Sequence, residues 1–182
     1  MRDVAAWKRW LGRHHAQQAH GVWLVLAKKG STEPTSLTYA QALEESLCFG
    51  WIDGQLKTRD GATYMQRFTP RRARSQWSSR NVAAAEQLIA AGRMQPAGLA
   101  EVTRAKADGR WQRAYDGAAT IEVPDDLAAA LRANTAAATT FAQLSRQNRF
   151  AILYRITTVS RASTRARKIA QYVDMLARGE TI

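Results

Sequence analysis

The sequence has little cysteine, little proline and no long apolar run. Its 182 residues include four prolines and a single cysteine, Cys48. No disulfide can form within the chain, which favours a reducing compartment such as the cytoplasm. The longest uninterrupted apolar run, Val22–Ala27, has six residues, whereas a membrane-spanning helix needs about 20. The first residues also lack the apolar core of a secretory signal, so we expect a cytoplasmic protein without membrane insertion.

Acidic residues are also scarce relative to basic ones. The chain has 15 Asp and Glu against 27 Lys and Arg, a formal net charge of +12. Residues 59–80 and 146–168 carry this excess, and patches of this size attract nucleic acid, phosphorylated ligands or acidic proteins. An Arg-rich composition that serves solubility explains the charge equally well. Nucleic-acid binding through 146–168 is disfavoured, because neither aromatic interleaving nor a recognition-helix pattern stands out there.

Local patterns predict an α+β fold. Asp60-Gly61 lies between two strand-like runs and predicts a two-residue turn that joins 51–59 to 62–69. Residues 22–27 read as a third, buried strand. We therefore expect a small antiparallel sheet, made of the hairpin 51–69 and the strand 22–27, packed with helices and followed by a C-terminal helical bundle. The expected domains are 1–118, with the CFGWIDG and RFTPRR motifs, and 119–182, which is helical.

The hairpin register divides its side chains between two faces. A two-residue turn places Lys57 opposite Tyr64 and Asp53 opposite Phe68. The mixed aromatic and polar face is then expected to bind a ligand or partner; it holds Trp51, Asp53, Gln55, Lys57, Tyr64, Gln66 and Phe68. The opposite face is expected to lie in the core, and it consists of Ile52, Leu56, Met65 and, as its odd member, Arg67.

A second cationic feature follows the hairpin. Arg71, Arg72 and Arg74 run into a predicted helix start at Ser78, beside Trp77. Guanidinium groups and free helix N–H groups both favour an anion, although a solvated connector is the simpler interpretation. Arg67 could join them if the hairpin edge lets it turn outward. The candidate ligand-binding residues are Trp51, Asp53, Lys57, Tyr64, Arg67, Arg71, Arg72 and Trp77.

Catalytic and metal chemistry have few candidates. Asp53, among aromatic side chains, could act as a general acid or base with Tyr64 or Lys57 assisting; the simpler reading is an Asp that caps the turn at Gly54. Cys48 falls in the last turn of a predicted helix, where a thiolate is disfavoured, and is expected to be a small core residue. The histidines lack metal-ligand spacing and there is no Gly-rich phosphate loop. We expect neither metal nor cofactor.

Several phrases resemble the bacteriocin-protection family of YdeI/OmpD-associated proteins. They are ALEESLCFGWIDG (42–54), Lys57, YMQRFTPRR (64–72), SQWSSRN (75–81), GRMQPAG (92–98) and DGRWQRAYD (108–116). They cover residues 40–120 densely, whereas the helical tail matches more loosely. The resemblance implies a cytoplasmic bacterial protein linked to cationic antimicrobial peptide resistance and to stress, with a link to an outer-membrane porin. It implies no catalytic residues.

Together these observations predict a binding protein. Its hairpin face and the adjacent arginines would form an aromatic and Arg-lined pocket for a small anionic or zwitterionic ligand, or for a peptide end. One alternative is a small metal-independent enzyme that uses Asp53 in the same pocket. A second alternative is nucleic-acid association through the basic helices 146–168. The sequence leaves the oligomeric state open.

Overall fold

The computed structural model describes residues 1–182, which fold into eight helices and three strands. The predicted α+β class is confirmed. Two compact units make up the chain: residues 1–75 with 81–112, and residues 76–80 with 113–182. The elements are α1 (Val4–His14), β1 (Val22–Ala27), α2 (Tyr39–Cys48), β2 (Trp51–Thr58), β3 (Thr63–Pro70), α3 (Ser79–Ala90), α4 (Pro96–Ala107), α5 (Asp125–Arg132), α6 (Thr135–Gln143), α7 (Arg146–Thr157) and α8 (Ala162–Ala177).

The sheet of the first unit is antiparallel, with β3 in the centre and the order β1-β3-β2. Its inner face is covered by α1, because Trp7 of that helix contacts both Trp51 and Phe68 at ring-centroid distances of 6.1 Å. All three rings are almost fully buried. Aromatic side chains bury more apolar area than any others, so this cluster forms the centre of the first core.

The hairpin differs from the predicted two-residue turn. Thr58 pairs with Tyr64 and Lys57 with Met65, so residues 59–62 form the connection. Asp60 holds it, since its carboxylate accepts hydrogen bonds from the backbone N–H groups of Ala62 (2.9 Å) and Thr63 (2.7 Å). A β-bulge between Asp53 and Leu56 then shifts the register back, so that Asp53 does pair with Phe68, as predicted. The predicted pairing of Lys57 with Tyr64 is wrong.

The predicted ligand and core roles of the two hairpin faces are also wrong, although Trp51, Asp53, Tyr64, Gln66 and Phe68 do share one face as predicted. Trp51 and Phe68, expected on the ligand surface, are 1% and 0% exposed, whereas Leu56, expected in the core, is 60% exposed. The physical reason is that the largest apolar rings pack against α1. The bulge adds a residue to β2 and moves Lys57 to the outer face with Met65. The buried Gln66 side chain stabilises the bulge by donating to the Gly54 carbonyl oxygen at 2.7 Å.

Helix α2 packs closely against α4 in the first unit. A Cβ atom at Gly98 of α4 would lie only 2.3 Å from the backbone carbonyl oxygen of Cys48. The absence of a side chain at this position lets the two backbones meet. Helix α2 begins with a capping box, in which Thr38 and Gln41 bond reciprocally.

The second unit has its own helical core, to which α5, α6, α7 and α8 all contribute. The buried side chains of this core are Leu127, Leu131, Ala137, Phe141, Ile152, Leu153, Ile156, Ile169, Tyr172, Val173 and Leu176. The predicted C-terminal helical bundle is therefore confirmed. None of the helices in the chain has the length and apolar character needed to cross a membrane.

Candidate functional site

Three of the predicted ligand-binding residues lie on the inner side of the sheet. The Trp51 indole N–H donates to the carbonyl oxygen of His15 at 3.3 Å. The Asp53 carboxylate accepts a hydrogen bond from the Tyr39 hydroxyl at 2.9 Å, so this half-buried acid holds α2 to β2. Tyr64 is half-buried, and desolvation raises its pKa. These interactions are structural, and they do not gather the three side chains around an open cavity.

Asp53 and Tyr64 do not form a catalytic pair in this fold. Asp53 is opposite Phe68 in the ladder, and Tyr64 lies four residues before Phe68 on the same strand. At about 3.3 Å per residue, the two positions are roughly 13 Å apart along the sheet. A proton transfer between them would need hydrogen-bond distance or one bridging water, so the arrangement gives the proposed acid–base chemistry no geometric support.

The arginine-rich segment after the hairpin does not form a single cluster. Arg71 is buried, with 6% of its surface exposed, whereas Arg72 and Arg74 are exposed. The backbone N–H of Arg72 donates to the Ser75 hydroxyl at 2.9 Å, which shapes the turn. Trp77 is 1% exposed and belongs to the second unit, and its carbonyl oxygen accepts from the Tyr115 N–H.

The helix start that follows Trp77 already has an acid beside it. Helix α3 begins at Ser79, whose hydroxyl donates to the Asp116 carboxylate at 2.7 Å. The Ser79 backbone N–H donates to the carbonyl oxygen of Tyr115 at 2.8 Å. A helix N-terminus attracts negative charge, and here Asp116 supplies that charge. The predicted anion site at this helix start therefore has no geometric support.

Cys48 is a core residue rather than a nucleophile. Its thiol is buried, and desolvation together with the nearby Glu45 carboxylate raises its pKa to about 11. A thiol with this pKa stays protonated at neutral pH. Because only the thiolate reacts readily, Cys48 is a poor nucleophile. The interpretation of Cys48 as a small buried residue agrees with this environment.

The outer face of the sheet brings together cations and half-buried apolar groups. Trp23 of β1 pairs with Arg67 of β3, Val25 pairs with Met65, and Lys57 of β2 also pairs with Met65. Alternation along the strands puts all five side chains on one side. None of the five is buried, and Lys57 is exposed. We call Trp23, Val25, Lys57, Met65 and Arg67 the outer face; it contains no acidic residue.

Electrostatic contacts define the geometry of the outer face. The Lys57 ammonium lies 4.5 Å from the centroid of the Trp23 ring, within the range of a cation–π interaction. One guanidinium nitrogen of Arg67 donates to the His20 carbonyl oxygen at 3.0 Å. That bond uses one N–H group of a side chain that carries five. The outer face thus presents two positive charges beside an accessible indole ring.

A groove of about 440 Å³ adjoins the outer face at Val25. Its other walls include the oppositely charged side chains Arg2, Arg59 and Glu33. The segment that carries Arg2 is fixed, because the Arg2 carbonyl oxygen accepts from the Ser36 backbone N–H at 2.9 Å and from the Thr35 hydroxyl at 3.2 Å. The volume lies in the usual range for small-molecule sites, which is about 300–1,000 Å³.

The candidate residues predicted from the sequence include Lys57 and Arg67, which lie on the outer face, but not Trp23, which also lies there, nor Arg2, Arg59 and Glu33, which line the adjoining groove. The sequence predicts a buried strand over 22–27, but only Leu24, Leu26 and Ala27 are buried. The available signal was positional, since Trp23 and Val25 alternate with Leu24 and Leu26. Alternation of this kind is typical of a strand with one accessible face.

The basic stretch 146–168 is divided among several roles in the second unit. Arg165 forms an ion pair with Asp126 and also donates to the Ile156 carbonyl oxygen at 3.0 Å. The Arg149 guanidinium lies 4.8 Å from the centroid of the Phe141 ring. Both side chains therefore have contacts within the unit, whereas Arg146, Arg155, Arg161 and Arg167 are exposed.

The fold and the outer face define a two-unit α+β protein with a candidate ligand-binding surface on its sheet. Residues 1–101 match the family model described as "Domain of unknown function (DUF8412)", which covers more than half of the chain, so the chain belongs to that family. Residues 120–179 match the model described as "Bacteriocin-protection, YdeI or OmpD-Associated". No curated protein and no solved structure matched the chain significantly.

The resemblance to the YdeI/OmpD-associated family is confirmed, but its location differs from the expectation. The sequence phrases that suggested it lie mainly between residues 40 and 120, whereas the match covers the helical region 120–179. The outer face lies within the region matched by the domain of unknown function. The match to the model described as "Bacteriocin-protection, YdeI or OmpD-Associated" thus lies in the C-terminal helices.

Proposed function

We propose that the protein binds a small anionic or zwitterionic molecule on the outer face and in its adjoining groove. The observation that carries this proposal is the position of the Lys57 ammonium 4.5 Å over the Trp23 ring, on a sheet face without acidic residues. The ligand class is the one expected from the sequence. The proposed site lies on the opposite side of the hairpin from the predicted one. Of the predicted residues it includes Lys57 and Arg67 but not Trp51, Asp53, Tyr64, Arg71, Arg72 or Trp77.

The outer face suits a ligand with both a negative group and a flat ring. Lys57 and Arg67 supply charge-assisted donors, which form stronger hydrogen bonds than neutral groups do. Trp23 supplies a ring against which a second ring can stack. When a ligand anion pairs with Lys57, its ring can take the position over the indole that the ammonium now occupies.

The adjoining groove accounts for the zwitterionic part of the proposal. Arg2 and Arg59 are potential partners for a carboxylate or phosphate, and Glu33 is a potential partner for an ammonium group. The Arg59 side chain is 41% exposed and its closest ion-pair contact, with Asp60, is long at 3.6 Å. A contact of that length at the surface contributes little, so Arg59 can turn to a ligand at small cost.

The binding prediction concerns Lys57 and Arg59. We expect each of the substitutions Lys57→Ala and Arg59→Ala to weaken adenosine monophosphate binding about tenfold, because each removes one charge-assisted contact with a net value of about 1.5 kcal/mol. Isothermal titration calorimetry measures this effect. Arg74→Ala is the matched control, since it removes an exposed charge that lies outside the outer face, and we expect its affinity to equal that of the wild type.

Three probes separate the ligand classes. Adenosine monophosphate is anionic, L-tryptophan is zwitterionic with a flat ring, and adenosine is the neutral comparator. We expect the first two to bind and adenosine to bind more weakly, with a loss of affinity at high salt. Equal affinities for adenosine and its monophosphate, or an Arg74→Ala protein as weak as Lys57→Ala, would contradict the proposed site. Steep salt dependence with oligonucleotides only would favour the nucleic-acid alternative.

We further propose that the protein acts in the cytoplasm and that ligand binding underlies a role in resistance to cationic antimicrobial peptides and in stress. The support is the C-terminal match to a family described by bacteriocin protection. The test is complementation of a deletion strain with the wild type or with Lys57→Ala, accompanied by cell fractionation. The proposal predicts a cytoplasmic protein and restored peptide resistance with the wild type only.

A further inference from the structure

A shallow apolar groove runs along α8 in the second unit, where the core residues Ile169 and Val173 line it. It contains no residue of the proposed ligand site. Its volume is about 480 Å³, and it lies between α5 and α8. The floor is formed by small and branched apolar side chains, with charged residues at its ends. The lining residues are Asp126, Ala130, Ala162, Arg165, Ala166, Ile169, Ala170, Val173 and Asp174.

The exposed strip of α8 consists of small residues at helical spacing. Ala162, Ala166 and Ala170 are each four residues apart and all are exposed, and Asp174 continues the same row. Residues at i and i+4 lie above one another on one helix face. Small residues in such a row allow the backbone of a second helix to approach closely. The shape of the groove therefore suits a helix.

The two ends of this strip carry opposite electrostatic character. At the N-terminal end of α8, the N-cap position is taken by Arg161, which makes no side-chain capping bond, and the first turn contains no acid. The positive end of the helix dipole is thus reinforced by a positive side chain. At the other end, Asp174 is exposed; it interacts electrostatically with Arg178 one turn further along the chain, but the ion pair of Arg178 is with Glu180. The positive N-terminal end of the strip in one copy can therefore attract the Asp174 end in another.

We propose that the groove is the interface of a homodimer in which α8 packs antiparallel against α8 of a second copy. A two-fold axis near Lys168 places Ala166 opposite the partner's Ala170. The same axis places Asp174 at the start of α8 in the partner, close to the partner's Arg161. The contact between Asp174 of one copy and Arg161 of the other then occurs twice, as an isologous interface requires.

A second copy explains the groove better than a foreign helix does, because the complementary charges are both present on α8 itself. The antiparallel arrangement also aligns the two helix dipoles favourably. A parallel arrangement would bring the two uncapped, positively charged helix starts together. The proposal concerns the second unit alone and does not depend on the ligand site of the first unit.

Sedimentation equilibrium of the full chain at physiological salt tests the interface. We expect the wild type to show a reversible monomer–dimer equilibrium. Ala166→Arg puts a long charged side chain in the middle of the strip, and we expect it to abolish the dimer at the concentrations used. Ala136→Arg is the matched control, since Ala136 is an exposed alanine of α6 that does not line the groove, and it should dimerise like the wild type.

Exchange of the two charges gives a second, independent readout. We expect Asp174→Arg and Arg161→Asp each to weaken dimerisation about tenfold or more, because each places like charges opposite one another. The double variant restores opposite charges with reversed signs, and we expect it to recover most of the lost affinity. A wild type that stays monomeric at high concentration, with or without another protein bound in the groove, would overturn the proposal. Additive losses in the double variant would also overturn it.

Discussion

Replacement of Trp51 with alanine is expected to lower the free energy of unfolding by about 3–5 kcal/mol. The ring is 1% exposed and makes edge contacts with Trp7 at a centroid distance of 6.1 Å and with Trp10 at 5.8 Å. Removal of the indole leaves a cavity between α1 and β2 that these rings cannot fill. Urea-induced unfolding, followed by far-ultraviolet circular dichroism, measures the loss.

Leu56→Ala is the control for Trp51→Ala, because both residues lie on β2. The sequence predicts Leu56 in the core and Trp51 on the ligand surface, whereas the structure buries Trp51 and exposes Leu56. Leu56 is 60% exposed, so its truncation should change the unfolding free energy by no more than about 0.5 kcal/mol. If Leu56→Ala were the more destabilising of the two, Trp51 would not be the centre of the contact between α1 and the sheet.

A Gly98→Ala protein is expected to lose about 3 kcal/mol of stability, which is large for the addition of one methyl group. The new Cβ would lie 2.3 Å from the Cys48 carbonyl oxygen and 2.8 Å from the Leu47 carbonyl oxygen. Both neighbours belong to the backbone of α2, so neither can rotate away and the two helices must separate. Overpacking of this kind typically costs about 1–3 kcal/mol, and rigid backbone neighbours place this position at the upper end.

Gly12→Ala provides the matched comparison for Gly98→Ala. Gly12 is also helical, within α1, and a Cβ atom there would meet no heavy atom within 4 Å. Since alanine favours the helix over glycine by about 0.5–1 kcal/mol, this variant should be as stable as the wild type or more so. Equal effects of the two substitutions would show that α2 and α4 do not make the close contact described above.

Much of the fold could be predicted because local signals coincide with local structure. A capping box of Thr38 and Gln41, a recognisable sequence pattern, starts α2. Asp60-Gly61 lies in the connection of the hairpin, where the sequence predicts a turn. The bulge in β2 could not be predicted, since it depends on the buried Gln66 amide reaching the Gly54 carbonyl oxygen across the sheet. No sequence pattern within β2 predicts this hydrogen bond between residues far apart in the chain.

The candidate site was harder to predict than the fold, because the role of a strand residue depends on which face the helices cover. The sequence predicts Lys57 on the ligand face and Arg67 on the core face, but both lie on the outer face, where Lys57 is exposed and Arg67 is half-buried. The bulge puts them together. Trp51 and Trp23 are both tryptophans in strands, and only the packing of α1 decides that the first is core and the second is accessible.

The central claim is that the ligand site lies on the outer face of the sheet. The most direct test is a nuclear magnetic resonance titration of the ¹⁵N-labelled full chain with adenosine monophosphate, with the six indole N–H signals of the tryptophans assigned. The proposed site predicts that the indole signal of Trp23 and the backbone amides of Val25 and Met65 shift with ligand concentration, while the Trp51 indole signal stays in place. Shifts at Trp51, Tyr64 and Arg72 with an unmoved Trp23 signal would contradict it.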